Sequence, residues 1–598
     1  MDDKNVSNII QQIDSSDQRK AEALRVHIGI IGTGRIAPRF LEEAKQVSGV
    51  AVTSAYNPQR EQAETFEAKY GIRCYYNDLE DFLAMVDAVY IASPHETHYK
   101  YARAALKCSK HVLCEKPLAF TATEARDLFK LAKQQDLVLM EGIKTAYGPG
   151  FAKLMEVVKS GIIGEIGDVE ACFSRLTDPS LREMTDVEYG GAYLEFGSYT
   201  LLPIFRLLGI DYEQINIASI IADHQIDLYT KIHFKYKNGM ASSKTGIGVK
   251  SEGQLMIAGT KGYILVDAPW WLTKAFEVRY EDPRKIDRYE IDFVGDGLRY
   301  EINEYRDRIL GKEPCTHGLT TEETIAMAAV VQSFMEKRKA DREDLQRRNI
   351  QAGMKVWAHR GCSYRFPENT LPAFQAACEL DGITGVELDI QLTRDGELVV
   401  FHDEAVDRLM DGAGHLKDYS LSEIRKLRFK GVEDSLSEVS IPTMEEVLRL
   451  IKPYCVSKGL LINIELKNNK ARYDGMEEKI LELISDNDMG QYVLYSSFNG
   501  DSLVRLKELD EQIKAGILKR KLDDCISFGM QHSIDAYHPC IDYLEGNLTL
   551  SENAVVRGWN EREPFYGQEM ILPIFDLVAL RKKGVTDLIT NVPERYLE

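Results

Sequence analysis

The sequence predicts a multidomain α/β chain: a Rossmann dinucleotide-binding domain, an α+β domain on an open, largely antiparallel sheet, and a (β/α)8 barrel of the TIM type. Three observations carry this. Short apolar strands and helical stretches alternate from Val26 to about Ile143, longer strand-like runs with few helices follow as far as Met335, and alternation resumes at Lys355 with eight or nine apolar runs. Alternating strands and helices imply parallel sheets, and eight such units close into a barrel. At 598 residues the chain is also too long for a single hydrophobic core.

The parts follow in order. Residues 1–23 form a polar, acidic extension without the basic-then-apolar order of a signal peptide. Residues 24–143 open on VHIGIIGTGRIA, a buried strand running into a Gly-rich turn and a helix. Residues 144–335 carry segments such as DVEACFSRL and LYTKIHFKY, which read as strands of the open sheet. Residues 336–353 include EKRKADREDLQRRN, charged on every face, and are the candidate linker. Residues 354–598 hold the barrel pattern. A formal net charge of -20 argues against a nucleic-acid partner or an anionic membrane surface, and no apolar run reaches membrane-spanning length. The 10 cysteines are scattered without a CxxC pair, as expected of reduced thiols in a cytoplasmic protein.

In Gly32-Thr33-Gly34-Arg35-Ile36-Ala37 the glycines permit a tight turn and close approach of a pyrophosphate to the next helix. Cys114-Glu115-Lys116-Pro117 ends a later strand, preceded by Ser93-Pro94 and His98. Residues 24–335 therefore resemble the Gfo/Idh/MocA oxidoreductases. With the Gly-rich turn, the resemblance implies a nicotinamide cofactor, for which Gly32, Gly34, Ala37, Ser93, Pro94, His98, Glu115 and, from the residues after the second strand, Arg60 are the expected binding residues. It assigns Lys116 a place beside the reacting carbinol, where an ammonium polarises oxygen and passes a proton while the cofactor carries hydride. Tyr199, in Glu195-Phe196-Gly197-Ser198-Tyr199, stands where many relatives have His. After the second strand, Ser54 to Arg60 contains no acid to repel a 2'-phosphate, and Arg60 could pair with one, so NADP is expected over NAD.

In the last part His359-Arg360-Gly361, Pro367-Glu368-Asn369-Thr370, Glu387-Leu388-Asp389, His402-Asp403 and Glu465-Leu466-Lys467 fall at or after strand ends. Residues two apart in a strand share a face, so the carboxylates converge and, being oxygen donors, favour Mg²⁺ or Ca²⁺. These blocks, in this order, resemble the glycerophosphodiester phosphodiesterases over about residues 355–598. The resemblance implies Glu387, Asp389 and Glu465 as metal ligands, His359 and His402 as the acid/base pair, and Arg360 and Lys467 as phosphate binders. The expected whole is a bifunctional enzyme with small-molecule substrates, releasing glycerol 3-phosphate and oxidising a polyol or sugar, with the freed headgroup, inositol for instance, as the candidate polyol. The alternative is an active phosphodiesterase with a non-catalytic dinucleotide-binding or oligomerising N-terminal module. The exposed sheet of the oxidoreductase family leads us to expect a homo-oligomer.

Overall fold

The computed structural model describes residues 25–223, 225–470, 472–545, 553–568 and 572–597, so the polar extension 1–23 lies outside them. The chain forms two compact units, Met1–Lys339 and Ala340–Glu598.

The first unit begins with a six-stranded sheet, parallel throughout, in the order Arg73–Tyr75, Val50–Tyr56, Val26–Ile31, Ala88–Ile91, His111–Glu115, Leu139–Gly142. The order reverses between Val26–Ile31 and Ala88–Ile91, which opens a crevice at their C-terminal ends, the place where such sheets bind ligands. Gly32 lies there at φ +97°, and a Cβ on it would come within 2.6 Å of the Ala92 carbonyl oxygen, so only glycine fits. Gly29, earlier in the strand, has the Phe82 ring where its own side chain would stand.

Next comes an eight-stranded open sheet, antiparallel except where Gly239–Gly246 runs parallel to Ile166–Ser174. The helix Ala192–Leu208 packs on both of these strands and buries Tyr193, Leu201, Leu202 and Phe205. The charged stretch Glu336–Asn349 is helical, inside a helix spanning Thr321–Gln351.

The second unit is a closed barrel of parallel strands: Lys355–His359, Gly385–Leu392, Leu461–Leu466, Val493–Ser497, Ala515–Lys519, Ala536–Pro539, Val555–Gly558 and Asp587–Thr590, the first pairing with both the second and the last. The ninth apolar run, Leu398–Val400, is not a barrel strand: it turns back antiparallel on Gly385–Leu392 after Asp395-Gly396, with Gly396 at φ +84°. It leads into an insertion with its own small core of Phe401, Val406, Met410, Leu416, Phe429 and Ile441. At the strand N-termini the interior is packed shut. Trp357 Nε1 donates to Asp587 Oδ1 at 2.8 Å, the Arg557 guanidinium lies 5.2 Å from the Trp357 ring centroid, and His538 fills the space that the absent side chain of Gly516 leaves.

Candidate active sites

In the barrel, alternation within two strands aims Glu387, Asp389 and Glu465 into one mouth. One oxygen from each of these buried carboxylates lies within 4.8 Å of the others. Asn369 donates to Asp389 Oδ2 at 2.8 Å, while Asp389 Oδ1 is buried without a hydrogen-bond partner. Burial, then the neighbouring Asp389 and Glu465, push the Glu387 carboxyl well above its ordinary range. Asp389 is held well below its own, because Arg360, His402 and Lys467 outweigh the opposing effect of burial. Packing three acids together out of water costs several kcal/mol per ion unless cations compensate, on the order of the buried-charge penalty. An orphaned oxygen in an all-oxygen donor set fits a hard divalent cation.

The cations flank this trio. Arg360 Nε lies 3.2 Å from Asp389 Oδ2, and Lys467 Nζ lies 2.8 Å from Glu465 Oε1. His359 Nδ1 and Asn591 Oδ1 are 2.7 Å apart. The Asn591 amide nitrogen donates to the carbonyls of Glu563 and Pro564, so its oxygen must face the histidine, the N–H must be on Nδ1, and Nε2 is a bare lone pair toward the cavity. Burial, then Arg360, bring the His359 imidazole down to about 3, so it is neutral. His402 Nδ1 sits 2.6 Å from Asp403 Oδ1, and its Nε2 faces the Lys467 ammonium at 3.1 Å. These groups line a cavity of about 350 Å³ with Phe498, Trp559 and Phe565.

Four of these residues were not singled out by sequence reasoning. Glu368, 1% exposed, joins Arg360 at 2.6 Å to Arg408 at 2.7 Å, and Arg408 also holds Asp403 at 2.5 Å. Phe565 covers the Arg360 guanidinium at 4.7 Å. The PENT and HD blocks contained Glu368 and Asp403, and nothing in the sequence marked Arg408 or Phe565.

In the first unit Gly32, Gly34 and Ala37 form the turn and helix start at the crevice, and a Cβ on Gly34 would meet nothing within 4 Å. Asn57 Nδ2 donates to Thr33 Oγ1 at 2.6 Å, tying that turn to the second strand. Arg60 is exposed, 2.7 Å from Glu64. Lys116 Nζ donates to the Glu195 carbonyl at 2.8 Å and lies 3.6 Å from the Glu195 carboxylate, which is also 3.9 Å from His95 Nε2, a neighbour the sequence did not announce. Tyr199 is one helical turn beyond Glu195 and so on the same face. Its phenol is pushed well above 10 by burial, then by Glu115 and Glu301. Glu115 accepts from Tyr90 OH at 2.6 Å. His98 is fully buried with its ring nitrogens 2.8 Å from the Pro117 carbonyl and 2.9 Å from the Ser93 carbonyl, bracing the Ser93-Pro94 loop against the corner after Lys116.

Comparison with known proteins finds relatives of both units. The model of the glycerophosphoryl diester phosphodiesterase family matches residues 359–524, and that of the oxidoreductase family with an NAD-binding Rossmann fold, Gfo/Idh/MocA, matches residues 26–143. YqiK, an uncharacterized protein of Bacillus subtilis, is 42% identical over 248 residues, which are 40% of this chain and 96% of that protein. A glycerophosphodiester phosphodiesterase of Caldanaerobacter subterraneus subsp. tengcongensis is 45% identical over 165 residues, 27% of this chain and 65% of that protein. The scyllo-inositol 2-dehydrogenase (NADP(+)) IolU of Bacillus subtilis is 26% identical over 317 residues, 51% of this chain and 95% of that protein.

Proposed function

We infer that this chain, which belongs to the glycerophosphodiester phosphodiesterase family through its C-terminal unit and matches the Gfo/Idh/MocA oxidoreductase model over residues 26–143, hydrolyses glycerophosphodiesters to glycerol 3-phosphate and an alcohol, and oxidises or reduces a polyol or sugar with NAD(P). The observation that carries the hydrolase is the trio Glu387, Asp389 and Glu465 between two histidines and two cations.

Arg360 and Lys467 would bind the phosphodiester oxygens by charge-assisted hydrogen bonds. Water attacks phosphorus, the bond to the alcohol oxygen breaks, one histidine takes the proton of the water, and the other gives one to the leaving oxygen. Both imidazoles hold their second nitrogen on a fixed partner, which sets the ring planes. Glu387, Asp389 and Glu465 would hold Mg²⁺ or Ca²⁺, which when bound supplies charge neutralisation at the phosphate.

In the first unit Gly32, Gly34 and Ala37 would receive the pyrophosphate of NAD(P), with Arg60 favouring NADP. The cofactor when bound accepts or gives hydride. Lys116 would orient the carbinol oxygen, with Tyr199 on the adjoining helix face, and the released headgroup, inositol for instance, would be that carbinol. The same open sheet would pair copies of the chain, and its setting would be the cytoplasm. Among the described residues no helix is long and apolar enough to cross a membrane. A second reading, a dinucleotide-binding module without hydride transfer, draws support from Lys116, whose ammonium Glu195 already occupies.

The deciding measurement follows glycerol 3-phosphate release from a panel of glycerophosphodiesters with Mg²⁺ or Ca²⁺ and then with chelator, reading NAD(P)H absorbance in the same cuvette. Metal-dependent release with an absorbance change is expected. Release without any absorbance change, there or on a panel of free polyols and sugars with NAD(P), favours the second reading, and no release from any diester overturns the first.

A further inference from the structure

A second cavity, of about 530 Å³, shares His402, Lys467, Phe498, Trp559 and Glu561 with the catalytic one and extends from it past the Lys467 ammonium. The groups found only on its walls are polar. Lys470 lies 3.4 Å from Glu404, and Arg520 lies 2.9 Å from Glu561, so each acid is matched by a cation. Asp403 is taken by His402 and Arg408, and Lys467 by Glu465.

One cation is left over. Lys519 ends the barrel strand Ala515–Lys519, and its ammonium donates to the Phe498 carbonyl at 3.0 Å; among the described residues no carboxylate lies within ion-pair distance of it. Phe498 and Trp559 meet edge to face, 5.7 Å between centroids, and line both cavities.

This chemistry selects among alcohols. A quaternary or primary ammonium is recognised by aromatic faces or carboxylates free of competing cations, and the Phe498 ring of this groove already has the Lys467 ammonium 5.8 Å from its centroid. Here every acid of the groove is already matched and the surplus charge is positive, an arrangement that repels a cationic headgroup. Hydroxyls, which both donate and accept, find a donor and an acceptor side by side in Lys470–Glu404 and in Arg520–Glu561, and the Trp559 ring offers a surface to the C–H face of a ring or chain.

Resting on the phosphodiesterase reading above, we propose that this groove receives the leaving headgroup, that the headgroup is an uncharged polyol rather than an amino alcohol such as choline or ethanolamine, and that Lys519 sets the preference. The enclosed cavity on the His359 side then takes the glycerol phosphate part.

The test measures kcat/KM of the full chain on glycerophosphoinositol, glycerophosphoglycerol and glycerophosphocholine, with bis(4-nitrophenyl) phosphate as a headgroup-free reporter of phosphodiester hydrolysis. The polyol diesters should lead the choline diester by about tenfold or more, a gap equal to one charge-charge contact in partly screened surroundings. Lys519→Glu should move that ratio toward choline by about tenfold or more, and Lys519→Gln, which keeps a donor for the Phe498 carbonyl, should fall between. Equal rates on choline and inositol diesters, or a ratio that neither variant moves, with the reporter still hydrolysed, overturns this inference alone. A wild-type chain inert toward the reporter and every diester overturns the phosphodiesterase reading and this inference with it.

Discussion

The two glycines of the dinucleotide turn do different work, and substitution separates them. Gly32 is held at φ +97° with the Ala92 carbonyl in its Cβ position, so Gly32→Ala should lower the stability of the first unit by at least about 1–3 kcal/mol from backbone strain, read as a lowered melting transition. Gly34 has open space on its side, so Gly34→Val should leave the melting transition in place and weaken NADPH binding by about tenfold or more, read by nucleotide fluorescence. Glu141 supplies a pH signature. Burial first, against a hydrogen bond from the Leu118 amide, raises its carboxyl to about 7. A folded-state value above the unfolded one means that the proton favours the fold. The contribution, on the order of a few kcal/mol, is complete below pH 4.5 and is lost as pH rises to 7. Glu141→Gln should therefore flatten the fall in stability that calorimetry is expected to record between pH 4.5 and pH 7. Site residues placed two apart in a strand, such as Glu387 and Asp389, were legible because the strand period alone puts them together. Glu368 and Arg408 were not, because an ion pair between residues 40 positions apart leaves no local spacing to read.

At the scale of elements, the insertion after Leu398–Val400 holds the site through one side chain. Arg408 places its Nε on Asp403 and both terminal nitrogens on Glu368, and those two carboxylates hold His402 and Arg360 in turn. A guanidinium is needed because its planar fork reaches two carboxylates at once, whereas an ammonium is a single point of charge. Arg408→Ala should lower kcat/KM on the diester by about ten- to a hundredfold, from partners left unsatisfied at about 1–3 kcal/mol, and Arg408→Lys should not restore it. The insertion was half legible. The sequence showed the apolar run ELVVFHD but suggested a ninth barrel strand, since the period of apolar residues does not distinguish a strand that continues the barrel from one that reverses at Asp395-Gly396. The parallel sheet, the open sheet and the barrel were each legible from the rhythm of strands and helices, which depends on nearest neighbours in sequence.

For the whole molecule, the second unit reaches back before its first strand. Asn349 is 2% exposed, its amide donates to the Phe575 carbonyl and its oxygen accepts from the Leu577 amide, each at 2.8 Å. A fragment beginning at residue 340 should therefore be more stable to urea than one beginning at 354, by about 1–3 kcal/mol, the cost of leaving two buried backbone groups without partners. Equal midpoints would show that the helical approach adds nothing to the barrel. The packed stack of Trp357, Asp587, Arg557 and His538 closes the barrel at the strand N-termini. The barrel is thus a cup and not a pipe. On the phosphodiesterase reading, substrate, water and both products would pass one rim, so traffic would be last in, first out: what seats deepest would leave last, and the next diester would wait for it.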